Sequence, residues 1–177
     1  MPAAQPVERQ HISDGLDIMM RVLFVCTHNS ARSQMAEGYL RHLRGDAFEA
    51  VSAGTEPGAL NPLAVEVMAE DGIDISGQRA KSVDDFVQQQ FDYVITVCDD
   101  AREACPFFPG AARRLHWSFP DPSAAGGTRE ERLAVFRQVR DGIRARVKEL
   151  LADGTQGAET RRLDGTRRIP FAENGGR

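Results

Sequence analysis

The segment that decides the fold is Arg21-Val22-Leu23-Phe24-Val25-Cys26-Thr27-His28-Asn29-Ser30-Ala31-Arg32-Ser33. Its apolar run at residues 22–25 is typical of a strand that is buried on both faces of a parallel sheet. The cysteine that follows lies six residues before an arginine. This spacing often arises by chance, so it has weight only because a strand precedes it and a helix follows it. The segment therefore predicts a strand that delivers Cys26 into a loop that opens a helix.

The predicted loop has the chemistry of an anion-binding site. Backbone N–H groups that converge on one point, together with a helix N-terminus, bind an oxyanion. A cysteine placed there is expected to have a pKa below its free value of ~8.5 and to act as a thiolate nucleophile. Arg32 offers a planar fork that matches two oxygens of a tetrahedral anion. The alternative is a structural cysteine beside a surface arginine. We expect the substrate to be bound by Thr27, His28, Asn29, Ser30, Ala31, Arg32 and Ser33.

Composition and charge limit the class of protein. The chain has 177 residues, 41% hydrophobic and 27% charged, a balance typical of one soluble globular domain. Its net charge of -4 does not favour a nucleic-acid or membrane-surface partner. No apolar run reaches the ~18 residues of a membrane helix, and residues 1–19 lack the apolar centre of a secretory signal. The three cysteines, an odd number, favour thiols kept reduced in the cytoplasm.

Predicted strands and helices alternate along the chain. The strands are expected at residues 22–25, 48–53, 93–97 and 115–117, and the helices at 33–44, 62–71, 82–89, 99–104 and 128–152. This alternation predicts an α/β fold with a parallel, doubly wound sheet. Residues 1–19 are expected to form a flexible N-terminal arm, 20–152 the catalytic domain, and 153–177 a flexible C-terminal tail.

Three candidate side chains follow predicted strands. Cys26, Cys98 and Asp121 are expected to converge, because doubly wound sheets bind ligands beyond the carboxyl ends of their strands. Taken alone, Cys98 and Cys105 would more often be buried small hydrophobic residues, and Asp121 with its proline would be an ordinary turn. For Ser33, a structural cap of the helix and a donor to the Cys26 thiolate are equally good interpretations. No spacing of His, Cys and Asp residues suggests a zinc site.

Several motifs together carry a specific resemblance. They are residues 26–38, Ser52-Ala53-Gly54, Asn61-Pro62, Val97-Cys98-Asp99-Asp100, Cys105-Pro106, His116-Trp117 and Asp121-Pro122. With them, the chain resembles the thioredoxin-coupled arsenate reductases, which share the fold of the low-molecular-weight protein tyrosine phosphatases. The resemblance runs from about residue 20 to residue 152. It implies a flavodoxin-like, three-layer fold with a four-stranded parallel sheet flanked by helices.

The resemblance also implies a reaction. Arsenate would be reduced to arsenite in arsenic detoxification, with two electrons supplied by a dithiol that becomes a disulfide. Cys26 is then the nucleophile, Arg32 stabilises the oxyanion, and Asp121 is the general acid. Cys98 and then Cys105 resolve the intermediate, and thioredoxin reduces the resulting disulfide. No bound cofactor is expected, phosphate or sulfate would mimic arsenate, and we expect a cytoplasmic monomer.

One departure from the resemblance concerns the bracing of the loop. Some reductases of this kind hold a potassium ion with residues that match Asn29, Glu37 and Ser52 together with an aspartate, and the matching position here is Lys81. An ammonium at that position takes the place of the cation and pairs with Glu37. We therefore expect these four residues to brace the loop without potassium.

The spacing of Cys98 and Cys105 predicts a conformational change. The two residues are seven positions apart, so in a continuous helix their Cα atoms would be ~10.5 Å apart. A disulfide needs Cα atoms within about 7 Å. The segment between them must therefore unwind when the two sulfurs bond.

Two other functions remain open from the sequence. One is a phosphatase of the same fold that hydrolyses phosphotyrosine or a small phosphomonoester with Cys26, Arg32 and Asp121. The other is a noncatalytic protein that binds an oxyanion or responds to redox state. A phosphatase has no use for Cys98 and Cys105, so this pair favours the reductase.

Overall fold

The computed structural model describes residues 19–163, and for residues 154–163 it describes the backbone alone. Four strands form one parallel sheet in the order β2-β1-β3-β4. They are β1 (Met20–Cys26), β2 (Phe48–Gly54), β3 (Phe91–Thr96) and β4 (Ala111–His116). The helices are α1 (Arg32–Arg44), α2 (Pro62–Glu70), α3 (Asp99–Ala104) and α4 (Arg129–Leu163). Short 3-10 turns span Val83–Asp85 and Pro122–Ala124. This architecture confirms the predicted α/β fold with a four-stranded parallel sheet.

The central strand β1 aligns the functional end of the sheet. Its residues 22–25 are fully buried, as the apolar run predicted. Val25 is in register with Ala53 of β2 and with Thr96 of β3, so the carboxyl ends of these three strands are level. The strand order reverses between β1 and β3, which makes this the topological switch point of the sheet.

The core lies between the sheet and its helices. From α1, Met35 and Leu40 are fully buried, and from α4, Phe136 and Ile143 are fully buried. Gly38 permits the close packing of α1, because a Cβ there would lie 2.7 Å from the Ile75 Cγ2 atom. Among the described residues, no helix is long and apolar enough to cross a membrane.

Three predicted elements differ from those observed. The last strand covers Ala111–His116 instead of residues 115–117, because it is an edge strand whose arginines are exposed and hide the apolar pattern. The short helix predicted at 82–89 is only a 3-10 turn at Val83–Asp85. Helix α4 continues past residue 152 to Leu163, since the isolated glycines at 154 and 157 weaken a helix without blocking its hydrogen bonds.

The N-terminal arm predicted for residues 1–19 lies almost entirely outside the described residues, which begin at 19. The tail predicted for residues 153–177 is helical through residue 163, and its remainder lies outside them. The proposed boundaries of the catalytic domain at 20 and 152 stay a prediction.

A buried arginine joins α4 to the C-terminal end of α2. The Arg140 side chain is 9% exposed, and its Nη1 lies 2.8 Å from a Glu70 carboxylate oxygen. The same nitrogen donates to the Val67 carbonyl at 2.8 Å, one of the carbonyls at the end of α2 that has no partner within the helix. Glu70 is also bound by the more exposed Arg137. Arg140 therefore satisfies a helix end and a carboxylate at a buried contact.

We expect Arg140→Ala to destabilise the fold by about 2–4 kcal/mol, because it leaves the buried Val67 carbonyl without its donor and removes the more buried of the two arginines that bind Glu70. Urea unfolding followed by circular dichroism measures this loss. Arg137→Ala is the matched control, since it removes an arginine from the same helix and the same carboxylate at a more exposed position. Equal losses in the two variants would contradict a special role for the buried arginine.

Candidate active site

The carboxyl ends of β1 and β3 bring two cysteines together. β1 ends at Cys26, and the Val97 N–H donates to the Val25 carbonyl at 2.8 Å, which extends the β1–β3 pairing beyond β3. Cys98 therefore lies beside the segment that follows β1, and its Sγ is 3.5 Å from the Thr27 Oγ1. Both cysteine side chains are buried. Two of the three residues predicted to converge thus lie at one switch point.

The anion loop, residues 26–32, is held by the segment that follows β2. N–H groups of residues 55, 56, 58 and 61 donate to the carbonyls of residues 26, 27, 28 and 30, with N···O distances between 2.8 and 3.1 Å. With these carbonyls bound from outside, the Asn29 N–H points at the Cys26 sulfur. The sequence prediction placed residues 54–61 between a strand and a helix and missed this role.

Gly54 makes this close approach possible. A Cβ at this position would lie 2.7 Å from the Thr27 carbonyl oxygen and 2.9 Å from the Asn29 nitrogen. Both are backbone atoms that cannot move without distorting the anion loop. A side chain is therefore excluded where β2 meets the loop.

Asn29 fixes the conformation of the loop around the sulfur. Its φ angle is 50°, a left-handed conformation that asparagine tolerates better than most residues. Its N–H donates to the Cys26 Sγ at 3.1 Å. Its side-chain Oδ1 accepts from the Lys81 N–H at 2.9 Å, and this sets the orientation of the amide. The Nδ2 therefore faces Ser33 and donates to its Oγ at 2.7 Å.

Gln34 is a second brace, which the sequence prediction missed. Its Nε2 donates to the Asn29 carbonyl at 2.9 Å and to the Arg79 carbonyl at 2.8 Å. The side chain is fully buried although it is polar. A buried glutamine directly after the anion loop ties the loop to the chain segment that precedes Lys81. Its place within the motif at residues 26–38 was the only signal in the sequence.

Ser33 contacts the sulfur and does not cap the helix. It lies inside α1, whose N-cap is Ala31, and its Oγ is 2.8 Å from the Cys26 Sγ. Because the Ser33 oxygen accepts from Asn29, its own proton is available to donate to a thiolate. Of the two interpretations left open by the sequence, the contact with Cys26 is the one observed.

The pKa of Cys26 differs from the sequence prediction. Burial raises the pKa of the Cys26 thiol above its ordinary value, against hydrogen bonds from Ser33 and Asn29 that lower it, and the neighbouring Cys98 raises it further. The prediction of a lowered pKa is therefore wrong for the ligand-free loop. The donors that would stabilise a thiolate are present, but desolvation of the sulfur outweighs them.

Arg32 reaches from the start of α1 toward the third predicted site residue. Its Nη1 donates to the Phe119 carbonyl at 3.0 Å, and its Nη2 is 3.9 Å from Asp121 Oδ1. The arginine side chain is 11% exposed and the aspartate side chain is 40% exposed. Phe119 itself is positioned by α4, where a Cβ on Gly142 would lie 3.2 Å from the ring. Asp121 therefore stands at the rim of the site, within reach of the arginine.

Asp121 also has the turn role that its sequence suggested. Its Oδ1 accepts from the Ser123 N–H at 3.0 Å and from the Ser123 hydroxyl at 2.6 Å, which caps the short 3-10 turn. Burial acts to raise the pKa of Asp121, but the Ser123 hydrogen bonds and the charge of Arg32 outweigh it. The pKa of this carboxyl is therefore lowered. In the ligand-free site Asp121 is an ionised carboxylate.

Cys105 lies at the other end of α3 from Cys98. Cys98 is the N-cap of this helix and Cys105 its C-cap. Cys105 is half-buried, and it lines a groove of about 490 Å³ with Phe107, Arg114 and other residues. Burial raises the pKa of the Cys105 thiol, while the Arg114 guanidinium acts in the opposite direction. The spacing of the two cysteines predicted that this helical segment unwinds when their disulfide forms.

A charged cluster lies behind the anion loop. Glu37 is 3% exposed, and it accepts a hydrogen bond from the Ser52 hydroxyl and one of 2.5 Å from Arg41. The Lys81 Nζ is 3.6 Å from Glu37 Oε2. Burial lowers the pKa of Lys81, against the charge of Glu37, which raises it. The four predicted bracing residues are thus connected, since the backbone of Lys81 also binds Asn29.

The remaining loop residues have smaller contacts. His28 is exposed and bonds through Nδ1 to the Glu56 carbonyl at 3.0 Å. Ser30 is half-buried, and Ala31 is buried and is the N-cap of α1. Among the side chains that the structure describes, those of residues 19–153, no group of three or more His, Cys, Asp or Glu is arranged to hold a metal ion.

Comparison with known proteins identifies the family. Residues 21–161 match the low molecular weight phosphotyrosine protein phosphatase family. The chain is 47% identical to the arsenate reductase of Shouchella clausii over 133 residues, 75% of this chain and 96% of that protein. A solved arsenate reductase in the phosphate-binding state is 36% identical with a TM-score of 0.67, over 76% of this chain and 98% of the other.

A second similar solved structure is that of a relative whose reductant is named. It is the thioredoxin-dependent arsenate reductase of Corynebacterium glutamicum, which is 32% identical with a TM-score of 0.61 and is matched over 78% of this chain and 63% of its own. These matches agree with the motifs in the sequence and with the observed sheet. The chain therefore belongs to the low molecular weight phosphotyrosine protein phosphatase family, among its arsenate reductases.

Proposed function

We propose that this chain reduces arsenate to arsenite with Cys26, Cys98 and Cys105 as a relay and thioredoxin as the electron donor. The observation that carries the proposal is the position of Cys98 against the anion loop, with its Sγ 3.5 Å from Thr27 Oγ1. A phosphatase needs only the nucleophile, the arginine and the acid. A buried second thiol at the end of the adjacent strand serves a redox step.

In the first step, the Cys26 sulfur attacks arsenic and forms an S–As bond. The inward N–H groups of the loop and the Arg32 guanidinium stabilise the charge on the arsenate oxygens. One oxygen leaves as water after taking a proton from Asp121, and the negative charge of the bound anion raises the pKa of this carboxyl toward the range an acid needs. Ser33 donates to the sulfur while it is a thiolate.

In the second step, the Cys98 sulfur attacks Cys26. An S–S bond forms, the electron pair of the S–As bond goes to arsenic, and arsenite leaves. Cys105 then attacks Cys98, which releases Cys26 as a thiolate and leaves a Cys98–Cys105 disulfide. A thioredoxin dithiol supplies two electrons and two protons to reopen it. Arsenate thus gains two electrons and thioredoxin loses two.

The exposure of the cysteines supports this direction of transfer. Cys26 and Cys98 are 2% and 3% exposed, so a thiol in solution has little access to them. Cys105 is half-buried and lines an open groove. The order of the relay thus carries the oxidised pair from the interior to the surface, where a protein reductant can reach it.

We also propose that Lys81 replaces a bound cation behind the loop. Its ammonium faces Glu37 at 3.6 Å and donates to the Arg79 carbonyl at 2.9 Å. A potassium ion at this place would be repelled by the ammonium and would have to share its carboxylate. The residues present therefore do not fit a potassium site, and no step of the reaction is assigned to one.

The relay predicts different outcomes for the three cysteines in an assay of NADPH consumption with arsenate, thioredoxin and thioredoxin reductase. Cys26→Ser should abolish all activity. Cys98→Ser should lose arsenate reduction but keep hydrolysis of p-nitrophenyl phosphate within about twofold, because hydrolysis uses only the anion loop and the acid. Cys105→Ser should release one arsenite per enzyme and then stop with a Cys26–Cys98 disulfide, which mass spectrometry detects.

Arsenate turnover by Cys98→Ser at the wild-type rate would overturn the relay. A wild-type protein that hydrolyses phosphomonoesters but consumes no NADPH with arsenate would instead be a phosphatase. Stoichiometric oxidation without turnover would indicate a redox-responsive binding protein.

The contact between Ser33 and Cys26 predicts a change in thiol reactivity. Ser33→Ala removes a hydrogen bond that lowers the pKa of Cys26, so the pH midpoint of Cys26 alkylation by iodoacetamide should move to higher pH. At neutral pH the rate of Cys26 alkylation should fall at least about tenfold. This factor corresponds to the free energy of a hydrogen bond to a charged group. Quantifying the Cys26 peptide by mass spectrometry isolates this thiol. Ser30→Ala, a change in the same loop that leaves the Ser33 contact in place, should behave like the wild type.

The position of Lys81 predicts turnover that does not depend on potassium. Rates in potassium chloride and sodium chloride of equal ionic strength should agree, because the ammonium already faces Glu37. Lys81→Gln should lower kcat several-fold through a loosened loop, whereas Lys148→Gln, at an exposed position of α4, should leave it unchanged. A potassium activation of the wild type that sodium does not reproduce would reject this assignment.

A further inference from the structure

Helix α3 depends on contacts at its ends. It has six residues, and Ala101 is the one side chain it buries. A helix of this length is not stable on its own, and the two relay cysteines are its caps. Whatever holds the first turn of α3 in place therefore also decides how easily Cys98 and Cys105 approach each other.

His116 holds that first turn to the sheet. It is the last residue of β4, and its Nε2 lies 2.8 Å from the Oδ1 of Asp99, the first residue of α3. The Ser118 hydroxyl donates to the other carboxylate oxygen at 3.2 Å. The sequence singled out His116 only as part of a motif with Trp117, and the structure shows that its ring makes polar contacts through both nitrogens.

The partners of His116 hold its ring at both nitrogens. The Asp99 carboxylate is only an acceptor, so Nε2 donates to it. Nδ1 lies 2.7 Å from the Thr96 Oγ1, and that hydroxyl also lies 3.5 Å from the Leu115 carbonyl. The ring is therefore fixed against β3, and its contact with Asp99 has the geometry of an ion pair.

The surroundings leave Asp99 as the acidic partner of this ring. Arg102 on α3 and Arg114 on β4 line the same groove as His116, together with the Cys105 thiol. The hydrogen bond from His116, followed by the one from Ser118, lowers the pKa of Asp99. Asp99 therefore stays ionised at neutral pH and loses its charge only when the pH falls below the ordinary carboxyl range.

We propose that His116 and Asp99 are positioning residues of the redox segment, whose ion pair holds α3 wound while Cys98 and Cys105 are thiols and breaks when the two sulfurs bond. The inference rests on the relay described above. Bond formation requires the segment to unwind, because a helix keeps the two Cα atoms ~10.5 Å apart. Unwinding removes Asp99 from its place opposite the ring.

The ion pair then stabilises the dithiol against the disulfide. Reduction breaks the Cys98–Cys105 bond and takes two electrons and two protons from dithiothreitol, which becomes its cyclic disulfide. An interaction present only in the dithiol makes this reduction more favourable. The pair thus keeps the disulfide readily reducible.

The test is the equilibrium between the Cys98–Cys105 disulfide and mixtures of reduced and oxidised dithiothreitol, measured on the full chain by alkylation and mass spectrometry. Asp99→Asn and His116→Gln should each need roughly fivefold more reductant than the wild type, as expected for one partly exposed ion pair. Asp100→Asn, which removes the same charge from the same turn, should follow the wild type.

Wild-type equilibrium constants in both Asp99→Asn and His116→Gln would overturn the proposal. An equal shift in Asp100→Asn would also overturn it, because the effect would then come from the charge of the turn and not from the contact of Asp99 with the ring. Arsenate is absent from this titration. A failure of arsenate to drive oxidation of the wild type would therefore count against the relay and not against the ion pair.

Discussion

The whole site depends on one constraint, which is the outward orientation of the carbonyl groups of the anion loop. Four of these carbonyls are bound by N–H groups of residues 55–61, and this contact exists only because Gly54 has no side chain. With the carbonyls occupied, the Asn29 N–H turns inward to the Cys26 sulfur. The loop is therefore built before any anion arrives, as electrostatic preorganisation requires. Parallel pairing of β1 with β2 sets the register that makes it possible.

Burial limits which thiols can react with one another in the proposed relay, and it also protects Cys26 from oxidants. Desolvation raises the pKa of Cys26 in the ligand-free loop, which limits its reaction with oxidants that attack thiolates. Since Cys26 is 2% exposed, a resolving thiol has to come from within the protein. Cys98 meets this requirement because β1 and β3 are neighbours in the sheet, whereas Cys105 is displaced to the groove by the length of α3. Sheet topology thus sets the order of the proposed relay.

The structural features that could be predicted from the sequence are those that hydrophobic periodicity and local motifs determine. The buried β1 run, the capping of α2 by Asn61 and the parallel sheet were all accessible from it. Contacts between distant segments were not accessible, such as Gln34 with the Arg79 carbonyl. The pKa of Cys26 was wrong because a motif reveals the hydrogen-bond donors around a sulfur but not how completely water is excluded from it. The edge strand β4 was partly missed because its outward arginines break the apolar pattern.

Stability is distributed unevenly around the switch point, and this matters for the chemistry. The anion loop is tied by buried hydrogen bonds from Asn29 and Gln34 and by the packing of α1. α3 begins at the same edge of the sheet but buries a single side chain, and its start is held by polar contacts that water can replace. A change that separates or joins Cys98 and Cys105 therefore meets least resistance in α3. The loop that binds the anion can keep its shape while the neighbouring helix unwinds, so that substrate binding and redox rearrangement are assigned to separate pieces of chain.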